Sequence, residues 1–145
     1  TLAKRYESIQ VMLSASHRRS IGRAAAAAKP IEACGLLVGT RRTGQAEIES
    51  VTVLANYTRR DRHSYYEIAP VDFLRVENEA HARNRDVIGA WHSHPHGPIL
   101  PSATDRDLAW PDWCYVIAGF RDDGTMQLGA WRFVDNRMIE DQLSQ

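Results

Sequence analysis

At 145 residues the chain is one domain by length, spanning residues 1–145, and long enough to bury a single core. Its 18 basic and 18 acidic side chains cancel, so it lacks the electrostatic footprint of a nucleic-acid or anionic-membrane binder, and no apolar run approaches the roughly 18 residues of a membrane span. Thr1 to Met12 has no apolar signal-peptide core and the two cysteines, Cys34 and Cys114, sit in apolar strand-like runs, so a cytoplasmic protein with buried, reduced thiols is expected.

In chain order, Glu7 to Leu13 has strand character, and Ser14 or Ser16 can cap a helix through Arg23 and the five alanines Ala24 to Ala28, which Pro30 stops. Ala33 to Val38 reads as a buried strand. Arg41-Arg42-Thr43-Gly44 then turns the chain into a hairpin partner carrying Ile48, Val51, Val53 and Leu54. Asn56 to Ser64 is a charged loop with Arg59, Arg60, Asp61 and Arg62, either a solvated surface or a segment beside the active cleft. Pro70 suits the first turn of a helix with Val71, Leu74 and Ala80 on its inner face. Val87 to His94 is a buried strand, Thr104 to Trp110 a short helix ended by Pro111, and Cys114 to Phe120 and Met126 to Val134 two strands joined at Asp122-Asp123-Gly124. Asn136 to Gln145 reads as a tail or short helix. The alternation implies an α/β domain with a mixed β-sheet flanked by helices.

The chemistry concentrates at His92-Ser93-His94-Pro95. Alternate side chains of a strand share a face, so His92 and His94 project together. Two prolines and a glycine turn the chain back, and Ser102-x-x-Asp105 is a capping-box pattern that puts the Asp105 carboxylate in a first helical turn. Two imidazole nitrogens and one carboxylate oxygen at roughly 2.0–2.2 Å, with a fourth position left open, make a catalytic rather than a structural zinc site. Such a site also needs a proton carrier, and Glu32, at the mouth of a buried strand, is the candidate general base. His96 is an alternative third ligand, disfavoured by Pro95 and Gly97. Cys34 as a nucleophile is disfavoured by its strand-interior setting. His17, His63 and His81 lack ligand spacing and are expected at the surface.

Together, Glu32, the strand Cys34-Gly35-Leu36-Leu37-Val38-Gly39, His92-Ser93-His94-Pro95 and Ser102-x-x-Asp105 resemble the JAMM (MPN-plus) metalloprotease family, in particular its short prokaryotic members. The resemblance runs from about Gln10 to Phe133. It implies a cytidine-deaminase-like arrangement of sheet and helices. It also implies one Zn²⁺ on His92, His94 and Asp105, Glu32 as general base and then acid, and Ser102 helping to stabilise the oxyanion. The implied reaction is hydrolysis of the amide bond after the Gly-Gly-type tail of a ubiquitin-like or sulfur-carrier protein. The alternatives are a catalytically silent scaffold of the same fold and a hydrolase of small amides. The eukaryotic deubiquitinating members carry long insertions around the site, and the short stretch from Asp105 to Cys114 leaves no room for them, so their linkage selectivity is not expected here.

Overall fold

The structure is a computed structural model and describes residues 5–144; residues 1–4 and 145, the outer ends of the N-terminal stretch and of the C-terminal segment read above, lie outside it. The described residues form β1 (Gln10–Met12), α1 (Ala15–Ala28), β2 (Cys34–Arg42), β3 (Gln45–Val51), α2 (Pro70–Ala82), β4 (Asp86–Ser93), α3 (Ala103–Leu108), β5 (Cys114–Phe120), β6 (Met126–Val134) and β7 (Arg137–Ser144). No helix among them is long and apolar enough to cross a membrane.

The sheet is mixed, as expected, but it closes on itself in the order β1-β3-β2-β4-β5-β6-β7, with β1 parallel to both β3 and β7. The mixed sheet with helices is as expected; its closure into a barrel was not anticipated. The closing strand is β7, which the sequence reading took for a tail or short helix; it pairs antiparallel with β6 from Ala130↔Asp141 to Val134↔Arg137. The first strand is also shorter than the run Glu7 to Leu13, because its ladder with β3 and β7 covers only Gln10–Met12. β3 stops at Val51, leaving Val53 exposed and Leu54 in an isolated bridge to Cys34.

Strand alternation sorts the core into two faces. Leu37, Trp91, Val116 and Ala118 pack with Ile21 and Ala25 of α1, while Leu36, Val38, Ala90 and Ile117 pack with Val76 and Ala80 of α2. Ser14 caps α1, its side chain accepting from the His17 backbone N–H at 3.1 Å. The inner face of α2 differs from the expected one: Val71 and Leu74 are 72% and 55% exposed, and Phe73, Val76 and Ala80 turn inward. At 100° per residue Leu74 and Ala80 lie on different faces, so Val71, Leu74 and Ala80 never formed one stripe. Gly89 lets β5 lie against β4, since a Cβ there would stand 1.9 Å from the Cys114 carbonyl oxygen.

The seam is fastened by a buried ion pair. Arg132 on β6 donates to both Asp141 carboxylate oxygens on β7, at 2.6 and 3.1 Å, and to the Glu7 carbonyl at 2.8 Å; Asp141 also accepts from the Ile9 N–H at 3.0 Å. Removing one partner leaves the other charge uncompensated in the interior, which costs about 3–5 kcal/mol. Asp141→Ala is therefore expected to lower the unfolding free energy by about that amount in urea titration; a loss within ~0.5 kcal/mol, as for an ordinary surface substitution, would show that the pair does not hold the seam.

Candidate metal centre and its proton carrier

β4 runs antiparallel to β2, with His92 opposite Cys34, and parallel to β5, with His92 beside Ile117. This places His92 on the α2 face, two residues after Ala90, and His94 follows on the same side. Ser93 points the other way, and its hydroxyl accepts from the Ala33 N–H at 2.8 Å while its own N–H donates to the Ala33 carbonyl at 3.0 Å. The residue between the two histidines thus staples the residue next to Glu32. Beyond β4 the His94 N–H donates to the Ala118 carbonyl at 2.8 Å, which keeps the chain beside β5 for one more step.

Asp105 comes from α3. Ser102 is its N-cap and the capping box is complete: the Ser102 hydroxyl accepts from the Asp105 N–H at 3.0 Å, and the Ser102 N–H donates to Asp105 Oδ2 at 2.9 Å. That second bond turns the carboxylate back toward the histidines. Asp105 Oδ1 lies 3.1 Å from His92 Nε2, Asp105 Oδ2 lies 3.0 Å from His94 Nε2, and the two Nε2 atoms are 3.2 Å apart. All three side chains are nearly enclosed, at 1%, 13% and 10% exposure for His92, His94 and Asp105. His96 is exposed and stays outside the cluster. His63 and His81 are exposed and His17 half-buried, none of them near ligand geometry.

These donors fit a cation. His94 Nδ1 faces the Pro98 carbonyl at 2.7 Å and must donate to it, which leaves the Nε2 lone pair aimed at the cluster. Two imidazole nitrogens facing each other across 3.2 Å, with a carboxylate oxygen against each, need a positive centre between them, and two nitrogens with one oxygen are the donor set of an open catalytic site. Burial works against charge on Asp105, but the hydrogen bonds from His92, His94 and the Ser102 N–H outweigh it and hold the carboxyl well below the usual carboxylate range. For His94 burial pulls downward and is overcome by Asp105 and the Pro98 carbonyl, so the net shift is upward.

Glu32 is buried, and its Oε1 has no hydrogen-bond partner. Its backbone is fixed by the Arg62 carbonyl, which accepts from its N–H at 2.8 Å, and by Asn56 Nδ2, which donates to its carbonyl at 3.1 Å. The charged loop Asn56 to Ser64 is therefore tied directly to the site. Burial pushes the Glu32 carboxyl up to about 8, with His94 drawing it down and Asp105 adding to the rise. The carboxyl that sequence reasoning placed at a strand boundary thus feels both a histidine and the aspartate of the cluster.

Several neighbours were not picked out in the sequence. Tyr66 stacks on His92 with ring centroids 4.5 Å apart and 17° between planes, and walls the cluster on that side. Ser93, Asn56 and Pro98 act through bonds to or from the backbone that no spacing rule reveals, although Ser93 is the opposite-face position that period-two alternation predicts between the two histidines.

The sequence and the fold both have counterparts among known proteins. Residues 14–134 match the family model described as prokaryotic homologs of the JAB domain. The chain is 32% identical over 120 residues to a desampylase of Haloferax volcanii, covering 80% of this chain and 78% of that one. It is 29% identical over 116 residues to a CysO-cysteine peptidase of Mycobacterium tuberculosis, covering 79% and 77%. A solution structure of a Desulfitobacterium hafniense protein superposes with a TM-score of 0.82 at 25% identity, over 92% of this chain and 91% of that one. A JAB1/MPN domain protein from Archaeoglobus fulgidus shares the fold at a TM-score of 0.54 and 16% identity, over 95% and 99%. Because the family match takes in Glu32, both histidines and Asp105 together with the strands and helix that carry them, the chain belongs to the prokaryotic JAB-domain family.

Proposed function

We propose that this chain is a zinc-dependent peptidase or isopeptidase that cleaves the amide bond after the Gly-Gly-type C-terminal tail of a ubiquitin-like or sulfur-carrier protein. The leaving amine belongs to a lysine side chain, a peptide or a single cysteine. The observation that carries this reading is the convergence of His92, His94 and Asp105 on one point beside the buried carboxyl of Glu32. The relatives named desampylase and CysO-cysteine peptidase support the substrate class. The deaminase-like arrangement belongs to the same reading, with the closed sheet as its departure. Free, buried Cys34 and Cys114 suit a reducing compartment, and we place the protein in the cytoplasm.

In this reading His92, His94 and Asp105 hold zinc, His94 being kept in the right tautomer by the Pro98 carbonyl. Bound zinc supplies a Lewis acid that polarises the scissile carbonyl and brings the acidity of a water molecule near neutral pH. Glu32 accepts a proton from the attacking water at its carboxylate oxygen and returns it to the leaving nitrogen. Its raised proton affinity suits a group that must both take and give a proton near neutral pH. Ser102 can cap α3 and still serve the reaction, since a hydroxyl has two acceptor lone pairs and one O–H, and the cap uses only a lone pair. Its free O–H donates to the developing oxyanion, worth about 2.7–4 kcal/mol for donors of this type. Tyr66 keeps bulk water away from the His92 side.

Glu32→Gln is expected to bind zinc near-stoichiometrically by metal analysis while hydrolysis of a carrier fusion falls roughly 10²- to 10⁴-fold, and His92→Ala or Asp105→Ala to lose the metal. Full zinc and full turnover in either ligand variant would sink the assignment. The proton affinity of Glu32 has a separate signature in metal-free protein. Its carboxyl titrates at about 8 when folded against an ordinary value of 4.5, so between those values the folded state binds more protons than the unfolded one and stability falls as pH rises. Urea unfolding across that window should show the parent losing stability relative to Glu32→Gln as pH increases. Parallel curves would mean that Glu32 is not held in a protonated, buried state.

A further inference from the structure

A cavity of about 280 Å³ opens beside the metal centre, sharing His92 and Asp105 with it as one wall. Aromatic and aliphatic side chains make up most of its other walls. Phe73 and Trp113 stack with centroids 6.1 Å apart and 12° between planes, Trp110 lies 4.7 Å from Trp113, and the Tyr115 hydroxyl accepts from the Trp110 N–H at 2.6 Å, fixing the tryptophan-bearing turn. At its rim Leu108 and Trp110 are half exposed, an arrangement that leaves apolar surface uncovered in the free protein. A glycine has no side chain to fill such a space. We propose that this cavity is a specificity subsite on the acyl side of the scissile bond, taking a large apolar side chain from the first residue upstream of the Gly-Gly tail.

The assignment to the acyl side follows from where the proton carrier stands, and it rests on the function proposed above. Glu32 must reach the leaving nitrogen, yet neither Glu32 nor Ser102 lines the cavity, which touches the cluster only through His92 and Asp105. The leaving group therefore belongs on the Glu32 side and the acyl chain on the cavity side. Two glycines in extended conformation put the next Cα roughly 7 Å before the last one, which brings its side chain to a cavity that starts at the cluster itself. The chemistry of the walls selects for an apolar group. Besides Asp105 the only carboxylate among the lining residues is Glu67, which accepts from the Thr58 hydroxyl at 3.1 Å, and no lysine or arginine is among them to receive an acidic side chain.

The test uses carrier fusions with one tail and one leaving group, differing only in the residue before Gly-Gly. Leucine or phenylalanine there is expected to exceed aspartate or glycine by about tenfold or more in kcat/KM, and the preference to collapse in Trp110→Ala and in Leu108→Asp. Both changes are at exposed positions, and circular dichroism verifies that the variants are folded. A second arm needs no metal and no turnover: tryptophan fluorescence of metal-free protein titrated with the peptides Leu-Gly-Gly and Gly-Gly-Gly, where the leucine peptide should bind about tenfold tighter. Cleavage of Gly-Gly fusions with no dependence on the upstream residue would overturn the subsite and leave the proposed function standing. A preference that follows the residue on the leaving side would overturn the acyl-side assignment. Leucine-selective binding without cleavage of any Gly-Gly amide would support the subsite and overturn the proposed reaction.

Discussion

Pairing of β2 with β4 is the constraint on which the site depends, because Glu32 stands just before β2, His92 lies in β4 and His94 comes immediately after it. The register sets Cys34 opposite His92, and the Ser93–Ala33 bonds extend it by one residue at the point where the chain leaves β2 toward Glu32. A one-residue slip would turn the histidines to the opposite face and move Glu32 by a strand step. The staple is built from backbone groups and one hydroxyl, all buried, so breaking it strands polar groups away from water. The geometry of the reaction is thus held by the most rigid kind of contact this fold has.

Around that pair the molecule divides its work. α1 and the face it covers supply the apolar core, with Trp91, Leu37 and Val116 fully enclosed. The other face gives up part of its packing to the cluster and to the aromatic cavity. Among the described residues, two of the three buried side-chain polar atoms without a hydrogen-bond partner, Glu32 Oε1 and His92 Nδ1, lie there, the third being His17 Nδ1 on α1. An interior that tolerates such atoms at one place while satisfying Asp141 fully at another is arranged for chemistry at the first and for stability at the second.

The parts of this arrangement legible in the sequence are those governed by local periodicity. His92 and His94 share a face because of the two-residue strand repeat, and Asp105 turns back because Ser102-x-x-Asp105 closes a capping box. Glu32 was legible as a carboxyl at the mouth of a buried strand and gained weight from the family resemblance, but nothing local marks a carboxyl as buried. The seventh strand was hidden for a physical reason: its one fully enclosed position holds Asp141, not an apolar residue, so the alternation that signals a strand is broken where burial is deepest. The inner stripe of α2 was misread because two apolar stripes compete on that helix, and only packing against Leu36 and Val38 decides between them.

α3 is six residues long and buries none of them. The grip of two imidazoles on Asp105, whose carboxylate the capping box aims, ties it to the end of β4. A segment so lightly anchored would share a single equilibrium with any cation held by His92, His94 and Asp105, because such an ion could be gripped on all sides only when the turn is formed, and the turn would be firmly docked only when the ion is gripped. Loading a metal there and shaping one edge of the cleft would then be the same event, and starvation for the ion would loosen the neighbourhood of Leu108 before it touched the barrel.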